Sequence, residues 1–486
     1  MDEGLLAYGA ERVMEGQLPN RDFVSPQPPL SYYSAAFFFK LFGTSLASLR
    51  ILGVSIYISI ALLIYGITRN FNGPIWSLAA ALPATILGVP FFNFVPFAVW
   101  QGITATLASV LLFLRAGVRQ QSYLAFGAGV LNAISILLRH DQGLYLTLSI
   151  LAFAIALKFT PESRASLPKP GRLLLWWGSG LLTVAIPLGI FWWVKRAWGK
   201  MFSQLVVFPL STYAKTSSRS YPHWNTHVAF SENAVTLLFY ISPVLQAAIL
   251  IWLLVRVIRR QYRLPEAVMT FLLVWAALFY LQGATRSDWH HLLITLPPLF
   301  ILVSCACRFF VEKLDDLSSQ WSVARWPAKI TKGTPRALAG AVLIWFLWAV
   351  TPACLPDLTN KTALPIPRGQ VRIEGGERMA NFIQLVQKAA APDRSILSLP
   401  YYPILYFLSE RRNPTQWNYL WPGDQTTEDH KALIEQAKKD PPALIVIVKE
   451  KEMRFYAPLI LDYVHNNYRL AGDSGELAVY LPEGKP

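Results

Sequence analysis

The chain has 486 residues, of which 53% are apolar and 15% are charged, and its formal net charge is +15. A soluble protein carries about 25% charged residues, so the composition excludes an ordinary soluble globular protein. The lysines and arginines collect in alternate loops between apolar segments, which argues against a nucleic-acid-binding surface. Basic short loops stay in the cytoplasm. The pattern therefore indicates a multi-pass membrane protein and predicts that residues 1–45, the loops near 92–100, 139–142, 196–232 and 283–291, and the residues after 355 face outwards.

Residues 1–45 precede the first long apolar segment and are predicted to form two amphipathic helices. An apolar stripe at helical spacing marks the first helix: Leu6, Ala10, Val13 and Met14. Gly16 is placed to end this helix, and a second apolar helix at 31–42 is followed by Gly43. An outward-facing segment of this length is expected to follow a further membrane helix ahead of Met1.

The middle of the chain contains about ten apolar segments that are read as membrane-spanning helices. They lie near residues 46–68, 75–91, 101–117, 122–138, 143–158, 173–194, 234–256, 266–282, 292–310 and 338–354. No internal repeat is detectable among them. This weakens a transporter built from inverted halves.

The polar C-terminal region alternates helix and strand signals. Short apolar runs at 395–399, 443–448 and 476–481 predict strands, whereas 379–386 and 426–439 predict helices. The predicted fold class is therefore an α-helical polytopic membrane protein with a small C-terminal α/β domain. Its three regions are an extracytoplasmic segment at 1–45, a transmembrane bundle at 46–355 and an extracytoplasmic α/β domain at 356–486.

Polar side chains that could carry chemistry fall in four groups, all in loops that face the same side. The groups are Asp2, Glu3 and Asp22; Arg139, His140 and Asp141; Tyr213, Lys215 and Arg219; and Arg286, Asp288, His290 and His291. Because these loops share one side of the membrane, the four groups can converge on one cavity.

Each of the four groups also has a simpler explanation. Arg139 at a helix end could extend its side chain to the membrane interface. Asp2 and Glu3 are equally well explained as first-turn acids favoured by a helix dipole. The basic loop at 195–219 is more often a lipid-headgroup contact, and the adjacent His290 and His291 point in different directions on a helix, which disfavours a shared metal. An Arg-His-Asp run between two apolar spans is unfavourable unless it is paired or functional, which favours function at 139–141.

Several segments resemble a known family. MDEG, RDFVSPQPPLSYY and FKLFG are similar to the first outer loop of GT-C-type membrane glycosyltransferases, especially the bacterial protein-mannosyltransferase-like and lipid A aminoarabinose-transferase-like enzymes. The later segments LLRHDQG, RSDWHHLLITLPP and LYFLSERRNPTQWNYLWPG are also similar to that group. The resemblance implies a GT-C-like bundle with its active site at the outer face. It also implies a polyprenyl-phosphate sugar as donor, and transfer with inversion.

The resemblance also implies roles for individual residues. Asp2 matches the catalytic or metal-linked acid of the first outer loop, with Glu3 beside it. A carboxylate there can take the proton of an acceptor hydroxyl. Asp22, Gln27 and Tyr33 of the same loop, and the remaining residues of the four polar groups, are predicted to bind substrate. Among these, Arg139, Arg286 and Lys215 are suited to stabilise the departing phosphate.

The loop FFNFVPFAVWQG contains no acid, so a second acid in the site must be Glu3, Asp141 or Asp288. No cofactor is certain, and a divalent metal ion at Asp2 and Glu3 stays open.

The predicted function is transfer of a hexose or pentose from a polyprenyl-phosphate carrier to a lipid, glycan or protein acceptor at the outer face of the inner (plasma) membrane. The predicted partners are the donor, membrane lipids and the acceptor, without nucleic acid. A transporter or flippase is the main alternative, but it would place ionisable residues at mid-membrane depth, where this chain has few. A noncatalytic scaffold protein and an oligosaccharide ligase are further alternatives. The C-terminal aromatic residues could stack on sugar rings, although core packing or membrane docking also explains them: Tyr401, Tyr402, Tyr406, Trp417, Tyr419 and Trp421.

Overall fold

The structure is a computed structural model that describes residues 2–92, 94–119, 121–160, 170–225, 230–307 and 361–483. The predicted span at 338–354, the end of the span at 292–310 and the basic loop between them lie outside the described residues.

The first segment contains the two predicted helices. They are α1 (Asp2–Met14) and α2 (Leu30–Phe42). Gly16 and Gly43 follow them with φ angles of 87° and 86°, a left-handed conformation that glycine adopts without strain. The predicted helix ends are thus confirmed.

The membrane bundle follows directly. Its helices are α3 (Leu46–Thr68), α4 (Pro74–Phe92), α5 (Ala98–Arg119), α6 (Ser122–Leu138), α7 (His140–Ala156), α8 (Pro170–Val194), α9 (Trp198–Phe202), α10 (Phe230–Ile258), α11 (Leu264–Thr285), α12 (Trp289–Leu293) and α13 (Leu296–Cys307). Six described helices are long and apolar enough to cross a membrane, and three shorter apolar helices accompany them. Nine of the predicted spans therefore coincide with apolar helices.

Helices of the bundle are joined by packing and by hydrogen bonds between neighbours. Trp275 and Phe279 are fully buried in its aromatic core. Ser109 of α5 donates a hydrogen bond to the Ala128 carbonyl of α6 at 2.7 Å, and Asn132 of α6 bonds Thr147 of α7 at 2.8 Å. Such bonds hold apolar helices together where lipid provides no hydrophobic driving force.

After α9 the chain stays helical as far as Thr216. Two π-helical turns (Ser203–Val207 and Pro209–Tyr213) and a last turn (Ala214–Thr216) follow α9. Together they form the 198–216 helix, which brings Tyr213 towards the C-terminal region.

The C-terminal region is a small α/β domain, as predicted. Its strands are β1 (Lys361–Ala363), β2 (Arg372–Glu374), β3 (Leu397–Leu399), β4 (Ile445–Val448), β5 (Tyr468–Asp473) and β6 (Leu477–Pro482). Its helices are α14 (Gly376–Ala389), α15 (Ile404–Ser409), α16 (Thr427–Lys439), α17 (Glu450–Met453) and α18 (Pro458–Asn467). The main sheet has the order β3-β4-β6-β5, with β3 and β4 parallel and the other pairs antiparallel.

The first segment and the C-terminal domain share one hydrophobic core. Tyr8 of α1 stacks on Tyr406 of α15, with ring centroids 4.8 Å apart, and Phe39 of α2 stacks on Phe407 at 5.5 Å. Seven consecutive residues of α1, from Gly4 to Ala10, are buried. Helix α1 is therefore covered by protein around its circumference, rather than on a single face as an amphipathic helix would be. This packing fixes the position of its first turn.

Candidate active site

Asp2 and Glu3 lie side by side in the first turn of α1 but face different partners. Successive helix residues point about 100° apart. Glu3 therefore reaches α3, where Arg50 contacts both of its carboxylate oxygens at 2.7 Å. Asp2 is exposed, and the hydroxyl of Tyr401 donates a hydrogen bond to its Oδ1 at 2.5 Å. Glu3 is thus neutralised by an arginine, whereas Asp2 is bonded by a neutral phenol.

Arg139 marks the break between α6 and α7. Its extended backbone, with φ −156° and ψ 97°, separates the two helices. Its Nε and Nη2 atoms donate to the two oxygens of Asp141 at 2.8 and 3.1 Å. The amide of Gln282 on α11 also donates to Asp141, at 2.7 Å. Asp141 therefore joins α7 to α11 and holds the Arg139 guanidinium in place.

The loop between α11 and α12 forms a second ion-pair cluster. Nε of Arg286 donates to Asp288 at 2.8 Å, and its Nη1 donates to the Tyr213 hydroxyl at 2.6 Å. The other oxygen of Asp288 contacts Nδ1 of His291 at 2.6 Å and accepts the His291 backbone N–H at 3.0 Å, which caps α12. Burial raises the pKa of Asp288, but the His291 bonds and the Arg286 charge outweigh it and hold that pKa well below its usual range.

These clusters are linked through aromatic residues. The Tyr213 ring lies 5.8 Å from the Trp421 ring, which lies 6.3 Å from the Tyr401 ring. Tyr401 bonds Asp2, and Tyr213 bonds Arg286 and lies within electrostatic range of Arg139. The structure thus links Asp2 to the Arg286 cluster through ring contacts and hydrogen bonds, and to Arg139 through the electrostatic range of Tyr213.

The other basic and histidine residues of the four groups lie at the edge of this arrangement. Lys215 and Arg219 are exposed and follow Tyr213 by two and six residues. Arg219 lies within electrostatic range of His290, whose pKa is lowered mainly by burial. His140 begins α7 beside the Arg139–Asp141 pair. Their roles in substrate binding remain predictions.

Asp22, Gln27 and Tyr33 are not connected to the cluster by any contact among the described residues. Asp22 pairs with Arg21 at 2.7 Å and accepts the Leu18 backbone N–H at 2.8 Å, so it stabilises its own loop. Tyr33 lies in electrostatic range of this pair, and Gln27 has a 3.5 Å contact from Ser31. Their roles in substrate binding also remain predictions.

Two residues near Asp2 have no signal in the sequence. Arg50 lies within an apolar span, and only the fold shows that it meets Glu3. Asp424 lies in the WPGDQ turn and is hydrogen-bonded by Tyr419 and Gln425. Burial raises the pKa of Asp424 to about 6.

The described residues contain no group of three or more His, Cys, Asp or Glu side chains arranged for one metal ion. Both oxygens of Glu3 contact Arg50, so Asp2 would be the only free carboxylate of the predicted pair.

Comparison with known proteins agrees with this architecture. The profile of a family described as dolichyl-phosphate-mannose-protein mannosyltransferase matches residues 26–193. No curated protein matches the sequence. Among solved structures, ArnT from Cupriavidus metallidurans bound to undecaprenyl phosphate is similar, with 13% identity and a TM-score of 0.56 over 100% of this chain and 94% of that one. Its apo state has 13% identity and a TM-score of 0.58 over 98% and 92%.

The oligosaccharyltransferase of Archaeoglobus fulgidus, tethered with an acceptor peptide containing the NVT sequon, is also similar. It is 12% identical, with a TM-score of 0.52 over 96% of this chain and 67% of that one. The resemblance found in the sequence is thus confirmed, and the chain has the GT-C fold of membrane glycosyltransferases. With six long apolar helices among its described residues, it is a multi-pass membrane protein.

Proposed function

Because the chain has the GT-C fold, we propose that it is a glycosyltransferase that moves a sugar from a polyprenyl-phosphate carrier to an acceptor hydroxyl, with Asp2 as the general base. The reaction takes place at the extracytoplasmic face of the plasma membrane. One observation carries the proposal. The other acids singled out from the sequence, Glu3, Asp22, Asp141 and Asp288, each pair with an arginine, and Asp2 has no basic partner within the described residues.

A free carboxylate is suited to proton transfer, because it accepts a hydrogen bond from the attacking hydroxyl and then its proton. An acid paired with arginine is a weaker base, since the cation stabilises its charged form. Tyr401 occupies Oδ1 of Asp2 and orients the carboxylate. Oδ2 is the oxygen left to meet the acceptor.

The transfer step balances as a single displacement. The acceptor oxygen forms a bond to the anomeric carbon and its proton passes to Asp2. The bond between the anomeric carbon and the phosphate oxygen breaks, and the carrier leaves as polyprenyl phosphate. Attack opposite the leaving group inverts the anomeric carbon.

Arg139 and Arg286 are the groups best placed to stabilise the departing phosphate. A carboxylate holds each of these arginines in place. Each guanidinium has five N–H donors, more than that carboxylate uses. Within the described residues, Nη1 of Arg139 and Nη2 of Arg286 make no hydrogen bond, so both can donate to a phosphate. Pre-oriented donors stabilise developing charge without reorganisation. That the similar ArnT structure is bound to undecaprenyl phosphate supports a carrier of this type.

The test is a transfer assay with the purified full-length chain in lipid, using a panel of radiolabelled polyprenyl-phosphate sugars. Asp2→Asn should lower kcat by about a hundredfold or more, as expected for loss of a general base. Glu15→Gln, which changes an exposed acid at the other end of α1, is the matched control and should transfer normally.

Equal transfer by the parent and Asp2→Asn would overturn the assignment of Asp2. Absence of transfer and of donor hydrolysis with every donor, in a folded parent protein, would overturn the proposed reaction and favour a transporter.

A further inference from the structure

The aromatic residues of the C-terminal domain fall into two sets. Tyr406, Trp417 and Tyr419 are at most 3% exposed and belong to the core. Tyr401 and Trp421 are only half-buried. Core packing therefore explains the first set fully and the second set only in part.

Tyr401 and Trp421 continue into Tyr213 as one surface, which we name the aromatic wall (Tyr213, Tyr401 and Trp421). The Tyr401 and Trp421 rings meet edge to face at 85°, and the Trp421 and Tyr213 rings are tilted by 42°. One end of the wall bonds Asp2 and the other end bonds Arg286. The wall therefore spans the distance between the proposed base and a proposed phosphate contact.

The WPGDQ turn at 421–425 fixes Trp421 against the 198–216 helix. Gly423 has a φ of 79°, which a residue with a side chain rarely adopts. A Cβ atom there would also lie 3.0 Å from the Thr212 methyl group. The indole N–H of Trp421 donates to Thr216 at 3.3 Å. These contacts hold together the two halves of the wall, which come from different parts of the chain.

Asp424 is an acid of this turn without a positive partner. Its hydrogen bonds come from the Tyr419 hydroxyl and from the Gln425 amide at 2.7 Å, and no lysine or arginine of the described residues pairs with it. A half-buried carboxylate is unfavourable unless it is paired or hydrogen-bonded. A carboxylate has about four acceptor sites, so Asp424 can accept further hydrogen bonds from a polar ligand bound beside the half-buried Trp421 ring.

Resting on the proposed function, we propose that the aromatic wall and Asp424 form the acceptor subsite and that the acceptor is a carbohydrate. Aromatic faces pack against the apolar C–H faces of sugar rings, while a carboxylate accepts hydrogen bonds from sugar hydroxyls. This combination suits a glycan better than an extended peptide, whose backbone requires a row of matching donors and acceptors.

The position of the wall assigns it to the acceptor rather than to the donor. The donor carrier is embedded in lipid, and its phosphate contacts, Arg139 and Arg286, lie at the ends of bundle helices. Tyr401, Trp421 and Asp424 belong to the C-terminal domain, and Tyr401 bonds Asp2 at that end of the wall. An acceptor bound there would present a hydroxyl to Asp2 at the Tyr401 end of the wall, whereas the carrier phosphate would contact Arg286 at the Tyr213 end.

The experiment uses the full-length chain with mannose and N-acetylglucosamine tetrasaccharides, and with serine- and threonine-containing peptides, as candidate acceptors. Trp421→Ala should raise the acceptor KM about tenfold and leave the donor KM within about twofold. Trp421→Phe, which keeps a ring, should restore most of the acceptor affinity. Phe455→Ala, which removes a 90% exposed aromatic ring of the same domain, is the control and should change neither constant.

Binding of the same tetrasaccharides, measured by saturation-transfer NMR without any donor, separates this proposal from the proposed reaction. Binding that is lost in Trp421→Ala supports the subsite even where no donor supports transfer. The subsite is overturned if transfer goes to peptides and not to glycans. It is equally overturned if Trp421→Ala leaves the acceptor KM unchanged or raises the donor KM instead.

Discussion

Replacing Asp424 by asparagine should stabilise the folded protein at neutral pH and at the same time weaken transfer to the acceptor. Burial raises the pKa of Asp424 from 3.8 to about 6, which means that folding disfavours its charged form. A difference of about 2 in pKa corresponds to about 3 kcal/mol. The neutral amide accepts weaker hydrogen bonds from Tyr419 and Gln425 and the site is partly solvated, so we expect a net gain of about 1–2 kcal/mol.

The pH dependence gives the sign of this effect. The pKa of Asp424 is higher in the folded than in the unfolded chain, so the protonated form stabilises the fold. That stability is fully present below about pH 4 and is lost as the pH rises through about 6. Asparagine does not titrate. The stability difference between Asp424→Asn and the parent should therefore be small at pH 4, increase between pH 4 and 6, and stay constant above.

Thermal unfolding of the full-length chain in detergent, followed by tryptophan fluorescence across this pH range, measures the difference. Asp462→Asn changes an exposed aspartate of the same domain and should leave stability unchanged at every pH. Transfer assayed at pH 7.5 should show a raised acceptor KM for Asp424→Asn alone. A variant that is less stable than the parent at pH 7.5, or a difference that does not vary with pH, would refute the reasoning. Gain of stability with loss of function is expected where a carboxylate is retained for a ligand.

Two further predictions concern the contacts that position the first turn of α1. Glu3→Gln should lower the free energy of unfolding by about 2–3 kcal/mol, because Arg50 keeps its charge in a site where both side chains are less than a fifth exposed. The double change Glu3→Met with Arg50→Met should recover most of the lost free energy of unfolding, because no unpaired charge remains. A double-mutant cycle by denaturant unfolding measures this, and a double variant no more stable than Glu3→Gln would contradict the prediction. Gly4→Ala would place a methyl group against the Ile404 backbone. This change should lower the free energy of unfolding by about 1–3 kcal/mol and reduce kcat. In the control variant Gly199→Ala the added methyl group meets no atom within 4 Å, so both quantities should stay unchanged. Unfolding and transfer assays on the same preparations measure both effects.

Local sequence signals were sufficient for α1 and α2, for nine apolar helices of the bundle, for α14 and α16, and for three of the six described strands. The ends of α1 and α2 follow from Gly16 and Gly43, and the break between α6 and α7 follows from a polar run that an apolar helix does not accommodate. Three strands of the main sheet coincide with short apolar runs. In each case the residues that give the sequence signal are the same residues that form the helix end, the break or the strand. The strand at 468–473 was not predicted because its exposed residues lack an apolar pattern.

The pairing of the acids could not be predicted, because it depends on contacts between distant parts of the chain. Asp2 and Glu3 are adjacent in sequence, and nothing in that sequence indicates which one meets Arg50. Asp424 is 422 positions from Asp2, and its proximity to the site arises only when the C-terminal domain packs on α1. The sequence therefore grouped the candidate residues by their loops, while the fold distinguished the free carboxylate from the paired ones.

The site combines parts of the chain that can vary independently. The proposed phosphate contacts lie at the ends of bundle helices, where hydrogen bonds such as that from Gln282 to Asp141 lock one helix to another. The proposed acceptor contacts lie in a turn of the C-terminal domain that contacts the 198–216 helix. Asp2 lies at the Tyr401 end of the aromatic wall, on a helix buried in the core that the first segment shares with that domain. A change in the 421–425 turn can therefore alter acceptor choice without disturbing the carrier contacts, whereas a change that loosens α1 from α15 should affect every acceptor alike.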